Sequence, residues 1–362
     1  MKIPVQTRPR GIALIIVMIA IFVLSVMAAI FATSMKIETK LAQNAEHDQQ
    51  LLWLGRSGVE LARYVLSQQM TIPGEPYDAL NQIWAGGPGG IGESNSPLNG
   101  ISLDNYQVGD GSVSVKIVDL ERKVNINTAN PEALRQALTL IGVGVDNSST
   151  ISDSILDWIS PDTGGARPAG AESDYYQSLN PPYYARNAPM DDLSELLLVK
   201  GIAEHPEIYW GGSATNHEPA AFQQKLGFVN APNQAPDYPF GLKDLFTPIS
   251  NGRININTAD ENVLQMIPGV DEATAQNIIK LRNGPDGVEA TDDDTPFASI
   301  NQLVTADLNP QLVAQLGRIC SVRSATFEVH VTARIGDYHR DYVALLYRNS
   351  ATDIEVLSFY WK

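Results

Sequence analysis

The chain has 362 residues, 44% of them apolar and 18% charged, which is enough for two or three domains with apolar cores. Its formal charge is −16; residues 1–36 hold Lys2, Arg8, Arg10 and Lys36 and no acid, so removing those four positive charges leaves the remainder at −20. A body that acidic repels nucleic acid and anionic lipid, and the sole cysteine, Cys320, rules out an internal disulfide framework and a Cys-based zinc site.

Arg8-Pro9-Arg10-Gly11 opens a stretch, Ile12 to Met35, that carries no charge. As a helix it spans about 36 Å, more than the hydrocarbon core of a bilayer. A cleaved signal peptide has a shorter apolar run and a small-residue cut site, which this segment lacks. Basic residues before the helix and an acidic bulk after it place the N-terminus in the cytoplasm and the body outside. The segment resembles a type IV prepilin leader. That resemblance implies cleavage between Gly11 and Ile12, methylation of the Ile12 amine, and a pairing glutamate at the fifth mature position. Ile16 stands there instead. A subunit with no neighbour above it has no need of that carboxylate, and a carboxylate in lipid is costly without a partner.

No proline occurs between Pro9 and Pro73, so one helix of about 55 residues runs from the membrane into the body. Its second half shows an incomplete apolar stripe through Leu51, Leu54, Val59, Ala62, Val65 and Leu66. Residues 71–111, centred on Gly86-Gly87-Pro88-Gly89-Gly90, read as a surface loop; nothing in them matches a phosphate-binding pattern. Val113 to Val118 alternates as a strand.

Lys123-Val-Asn-Ile-Asn-Thr-Ala-Asn-Pro-Glu-Ala-Leu134 recurs 130 residues later as Arg253-Ile-Asn-Ile-Asn-Thr-Ala-Asp-Glu-Asn-Val-Leu264, identical at six of twelve positions. Each copy reads as a short strand turning into a helix. Asn130 before Pro131 suits an N-cap, and Thr258 with Glu261 fits a capping box. The second copy continues through Met266-Ile-Pro-Gly-Val270 into a second helix and resembles a helix-hairpin-helix. Such hairpins often bind a DNA backbone, but Asp271 and Glu272 follow this turn, Asp292-Asp293-Asp294 reads as a solvated loop, and Lys280 and Arg282 are the nearby cations. A small packing module is the expectation.

Between the copies stand Asp157-Trp-Ile, Gly170-Ala-Glu172, Asp174-Tyr-Tyr176 and Asn180-Pro-Pro-Tyr-Tyr184. With the leader, Ile16 and the two Asn-Thr-Ala joints, this series resembles the general secretion pathway protein K family, the large minor pseudopilins of type II secretion. The resemblance implies an α+β, type IV pilin-like fold, with a long N-terminal helix packed on an antiparallel sheet. A large inserted helical domain would contain SAM/helix-hairpin-helix-like modules. The corresponding boundaries are a leader at 1–11, a membrane half-helix at 12–35, pilin helix, loop and first strand at 36–122, inserted domain at 123–250, second module at 251–320, and closing β-hairpin at 321–362. It further implies structural calcium, with Asp157, Asp162, Glu172 and Asp174 as candidate ligands, although Ser160 stands where family members often carry aspartate. The implied partners are the minor pseudopilins of classes I and J and the prepilin peptidase, and beyond them the major pseudopilin, secreted substrates and the outer-membrane channel.

The end returns to β structure: Phe327 to Ile335 alternates, Gly336-Asp337 turns, Tyr342 to Arg348 forms a second strand with Val343, Leu345 and Tyr347 on one face, and Phe359-Tyr-Trp361 suits an edge strand or contact surface. No nucleophile or H-E-x-x-H motif is present among His47, His205, His217, His330 and His339, so no enzyme is expected. The reading is a minor pseudopilin at the tip of a periplasmic pseudopilus, anchored in the bacterial inner membrane. The alternative is a membrane-anchored helix-hairpin-helix DNA-binding protein of a DNA-uptake apparatus.

Overall fold

The computed structural model describes residues 12–89, 96–161, 164–212, 238–306 and 308–362. Helix α1 (Ile12–Gln69) is continuous over 58 residues, as the absence of an internal proline predicts. Its first half is exposed throughout and is long and apolar enough to cross a membrane. Its second half buries Leu51, Leu54, Gly55, Gly58, Val59, Ala62, Val65, Leu66 and Gln69, a stripe recurring every three or four residues.

After α1 the described residues of the expected surface loop are partly internal, and residues 90–95 lie outside the described segments. Glu75, Asp78, Asn81, Gln82, Trp84 and Leu98 are all buried. Trp84 stacks edge-on against Phe327 with ring centroids 5.3 Å apart, and its indole N–H donates to Gln82 Oε1 at 2.8 Å. One large aromatic and one leucine are drawn inward on either side of the glycine-rich centre, because burying so much apolar area outweighs the polarity of their neighbours. Strands β1 (Tyr106–Val108) and β2 (Gly111–Asp119) follow; β1 lay inside the predicted loop.

The chain leaves the sheet at Asp119 and builds a second body. Its parts are β3 (Val124–Asn125), α2 (Pro131–Ile141), α3 (Val145–Ile159), β4 (Phe246–Thr247), β5 (Ile254–Asn255) and β6 (Cys320–Ser321), with short helices between. β3 pairs parallel with β4 and β5 parallel with β6. Asn130 caps α2 by accepting from Ala133 N, as predicted. Thr258 does not cap the next helix: Asp260 holds the N-cap position of Glu261–Leu264, and the Thr258 hydroxyl is drawn away to a buried carboxylate. One apolar core, from Ile126 to Cys320, runs through both repeat copies.

The chain re-enters the sheet in β7 (Thr326–Ile335), then β8 (Tyr338–Ser350) and β9 (Asp353–Trp361). The order is β1-β2-β7-β8-β9, antiparallel throughout. Asp119 lies opposite Phe327, so the second body is an insertion between two neighbouring strands whose ends already meet. The face packed on α1 carries Val113, Val115, Ile117, Phe327, Val329 and Val331. From β8 it takes Tyr342, Ala344 and Leu346, the alternate set to the Val343, Leu345 and Tyr347 face singled out from sequence.

Gly55 and Gly58 let helix and sheet approach closely. A Cβ at Gly58 would lie 2.4 Å from a Val331 methyl, and one at Gly55 would lie 2.5 Å from the Tyr342 ring. Val331 is buried and β-branched, so it has no open rotamer to retreat into. Alanine would improve helix propensity by about 1 kcal/mol, which overpacking offsets. The larger Gly58→Val should cost about 1–3 kcal/mol, read as a lower thermal midpoint of the full chain in detergent. An unchanged midpoint would mean that the helix simply slides outward.

Candidate functional site

Of the residues assigned to the leader, Gly11 lies outside the described segments. Ile12 begins α1 at 58% exposure, and Ile16 is 61% exposed on the same apolar half-helix. Among the described residues nothing covers this half, and its apolar surface favours burial in lipid or against another helix.

Among the described residues the acids assigned to calcium do not form a group placed to hold a metal ion. Asp157, at the end of α3, is 1% exposed and ion-paired with the Arg167 guanidinium. Its Oδ2 also accepts from Arg167 N at 3.0 Å. Asp174 is exposed in the helix Ser173–Gln177, Glu172 precedes that helix, and Asp162 lies outside the described residues. Among the described residues no group of three His, Cys, Asp or Glu side chains is placed to hold a metal ion. Calcium demands six to eight oxygens, and a carboxylate already occupied by a guanidinium does not meet that demand.

The repeated motif, by contrast, forms two matching joints. In the first copy Asn125 Oδ1 accepts from Asn127 N at 2.9 Å, and the Asn127 side chain clamps the Met190 backbone, donating to its carbonyl at 2.9 Å and accepting from its N–H at 2.7 Å. In the second, Asn255 Oδ1 accepts from Asn257 N at 3.0 Å, and Asn257 clamps Phe297 in the same way at 3.0 and 2.8 Å. An amide side chain is needed twice because each must donate and accept at once.

The outer Asn residues differ in what they reach. Asn125 Nδ2 donates to the Ser250 carbonyl at 3.0 Å within the insertion. Asn255 Nδ2 reaches out of it, donating to the Asp78 carbonyl at 3.0 Å, Asp119 Oδ2 at 3.3 Å and Ser324 Oγ at 2.8 Å. Thr258 Oγ1 and Ser324 Oγ donate to the same Asp119 oxygen at 2.6 and 2.7 Å. Beside them Arg348 is ion-paired with Asp78 and donates to the Ser324 carbonyl at 2.6 Å. Glu121 Oε1 accepts from Ala325 N at 2.9 Å and Thr326 N at 3.1 Å, and its Oε2 accepts from Asn251 Nδ2 at 2.9 Å. Asp78, Asp119, Glu121 and Arg348 are all buried. Three carboxyls and one guanidinium thus lie where the insertion joins the sheet, between two separate apolar cores.

Burial pushes the Asp119 carboxyl above its ordinary range, against the hydrogen bonds from Ser324 and Thr258. Glu121 is pushed up to about 7, first by burial and then by the Asp119 charge. The sequence reading missed this site, yet the signal was present. Val113, Val115 and Ile117 point inward, and the same register carries Asp119 inward. Tyr342, Ala344 and Leu346 likewise lead to Arg348. A charge on the core face of each of two strands calls for a buried partner.

The hairpin turn at Pro268-Gly269 is present, and Asp271 caps the helix Glu272–Arg282 by accepting from Thr274 N at 2.9 Å. Arg282 is 5% exposed and donates to the carbonyls of Ile256 and Ala259 at 2.9 and 2.7 Å, which spends one of the two nearby cations on structure. The Asp run is not simply solvated. Asp294 is buried and accepts from Ala290 N at 3.0 Å, while Asp293 accepts from Asp286 N at 3.0 Å. Cys320 is buried within β6, and burial pushes its thiol up to about 12.

Residues 112–207 match a family model described as type II secretion system protein K, and residues 250–317 match a helix-hairpin-helix motif. The chain is 25% identical to the type II secretion system protein K of Pseudomonas aeruginosa, over 96% of this chain and 92% of that one. It is 24% identical to the corresponding protein of Aeromonas hydrophila, over 55% of this chain and 61% of that one. A solved GspK–GspI–GspJ complex from enterotoxigenic Escherichia coli contains a chain with the same fold, at a TM-score of 0.59 and 21% identity, covering 89% of this chain and 99% of that one.

Proposed function

We propose that the chain is a member of the type II secretion system protein K family, a minor pseudopilin capping the tip of the periplasmic pseudopilus and so supporting protein export across the outer membrane. The observation that carries this reading is α1: one unbroken helix, bare and apolar in its first half and packed on a sheet in its second. A bare half-helix of that length is an assembly element, since burying it in lipid or against other helices is strongly favourable. With Ile16 in place of a carboxylate, the chain offers no partner to the amine of a subunit above. The second body, inserted between β2 and β7, supplies bulk at the head, where an end subunit has room for it.

In this reading the prepilin peptidase cuts after Gly11 and methylates Ile12, the half-helix sits in the inner membrane with its N-terminus cytoplasmic, and the head lies in the periplasm. Partners are the minor pseudopilins of classes I and J, matching the company kept by the structural relative. The role is structural, with no reaction assigned to any side chain. The DNA-uptake alternative loses its chemistry at Arg282, whose guanidinium faces the interior, and at the acidic turn.

The test is the mass and N-terminus of the full chain isolated from its own membranes, together with its co-purification with class I and J pseudopilins. Loss of residues 1–11, a methylated Ile12 and a shared complex are expected. An intact Met1 or a cut beyond Met35 would remove the leader argument. Salt-sensitive retention on DNA in place of that complex would favour the alternative.

A further inference from the structure

A carboxylate as buried as that of Asp157 needs a counter-charge and a full set of donors. The chain supplies both from ten residues further on. Arg167 Nη1 is ion-paired with Oδ1, and Arg167 N donates to Oδ2 at 3.0 Å. The same guanidinium nitrogen donates to Ser160 Oγ at 3.4 Å. Gly170 closes the remaining side: a Cβ there would lie 1.9 Å from Asp157 Oδ2. One helical turn earlier, Asp153 Oδ2 accepts from Ala169 N at 3.3 Å. Residues 167–169 are thus tied to α3 at two carboxylates, and each oxygen of Asp157 accepts from Arg167.

We propose that Arg167 is the resident cation of Asp157, so that residues 167–170 are held on α3 through the chain's own guanidinium and not through a divalent metal. The two arrangements compete for the same carboxylate oxygen. Calcium binds carboxylate oxygens at roughly 2.3–2.6 Å and needs several more oxygens around it, while a planar guanidinium beside Oδ1 fills that approach with N–H donors. Ser160 fits the guanidinium: a hydroxyl accepts a hydrogen bond there without adding a second negative charge.

The test uses the full chain in detergent, unfolded thermally in excess calcium and in chelator, beside Arg167→Met, Asp157→Asn and the double variant. The wild-type midpoint should be the same in both solutions. Arg167→Met should lower the midpoint in both, because it leaves a buried charge uncompensated, and Asp157→Asn should recover part of that loss. A wild-type midpoint raised several degrees by calcium, the effect of a site filled about a hundredfold above its dissociation constant, would overturn the proposal. So would an Arg167→Met loss of equal size with and without Asp157→Asn, since no ion pair would then be at stake.

Discussion

Replacing Arg348 with methionine should destabilise the chain by about 3–5 kcal/mol, the range for removing one partner of a buried ion pair. Arg348 and Asp78 expose 1% and 3% of their side chains. The guanidinium also donates to the Ser324 carbonyl and, at 3.3 Å, to the Leu66 carbonyl near the end of α1, and it lies 4.8 Å over the Phe327 ring. One side chain therefore ties the helix, Ser324 just before β7 and the segment after α1. Methionine fills the volume but leaves Asp78 charged in an apolar setting and two carbonyls short of a donor, each costing about 1–3 kcal/mol where water does not reach. Adding Asp78→Asn removes the stranded charge, so the double variant should stand above the sum of the single losses. The readout is urea or thermal unfolding of the full chain in detergent. A loss under about 1 kcal/mol would mean that water enters the joint and that burial there has little energetic meaning.

The elements legible in the sequence were those governed by short-range pattern. The length of α1 follows from the absence of proline, and the strands around Val115 and Val331 follow from alternation. The repeated Asn-x-Asn-Thr-Ala motif announced two equivalent joints because a local turn fixes its geometry, and both joints are there. What stayed hidden depends on contacts between distant parts of the chain. Trp84 and Leu98 turn inward on either side of the glycine-rich centre only once the sheet exists to receive them. Thr258 satisfies every local rule for a cap, yet Asp119, 139 residues earlier, claims its hydroxyl. On β8 both alternate sets contain apolar residues, so composition could not choose between Val343 and Leu345 on one face and Tyr342, Ala344 and Leu346 on the other; α1 made the choice. The acids near Asp157 carry the right element types for calcium, and the pairing of Asp157 with Arg167 is a tertiary fact.

The joint should also respond to pH, through Glu121. Its carboxyl is raised from an ordinary 4.5 to about 7, so the folded chain holds this proton more tightly than the unfolded chain does. The stabilisation is fully present below about pH 4.5 and is lost as pH rises through 7, with a total on the order of 3 kcal/mol at about 1.36 kcal/mol per pH unit. Asp119 is shifted the same way and adds to the trend. This is opposite in sign to the usual behaviour of a salt-bridged carboxylate: burial raises Glu121 first and the Asp119 charge second, while Arg348 is committed to Asp78. Glu121→Gln stays neutral at every pH. It should begin somewhat less stable, because one amide N–H then confronts a donor such as Asn251 Nδ2, but its stability should fall much less between pH 5 and 8. The decisive quantity is the difference between the two unfolding curves across that range. Parallel curves would show that Glu121 ionises at its ordinary value and that the insertion and the sheet are joined with this carboxyl already charged. Converging curves would make the joint a contact that tightens as the surrounding solution becomes more acidic.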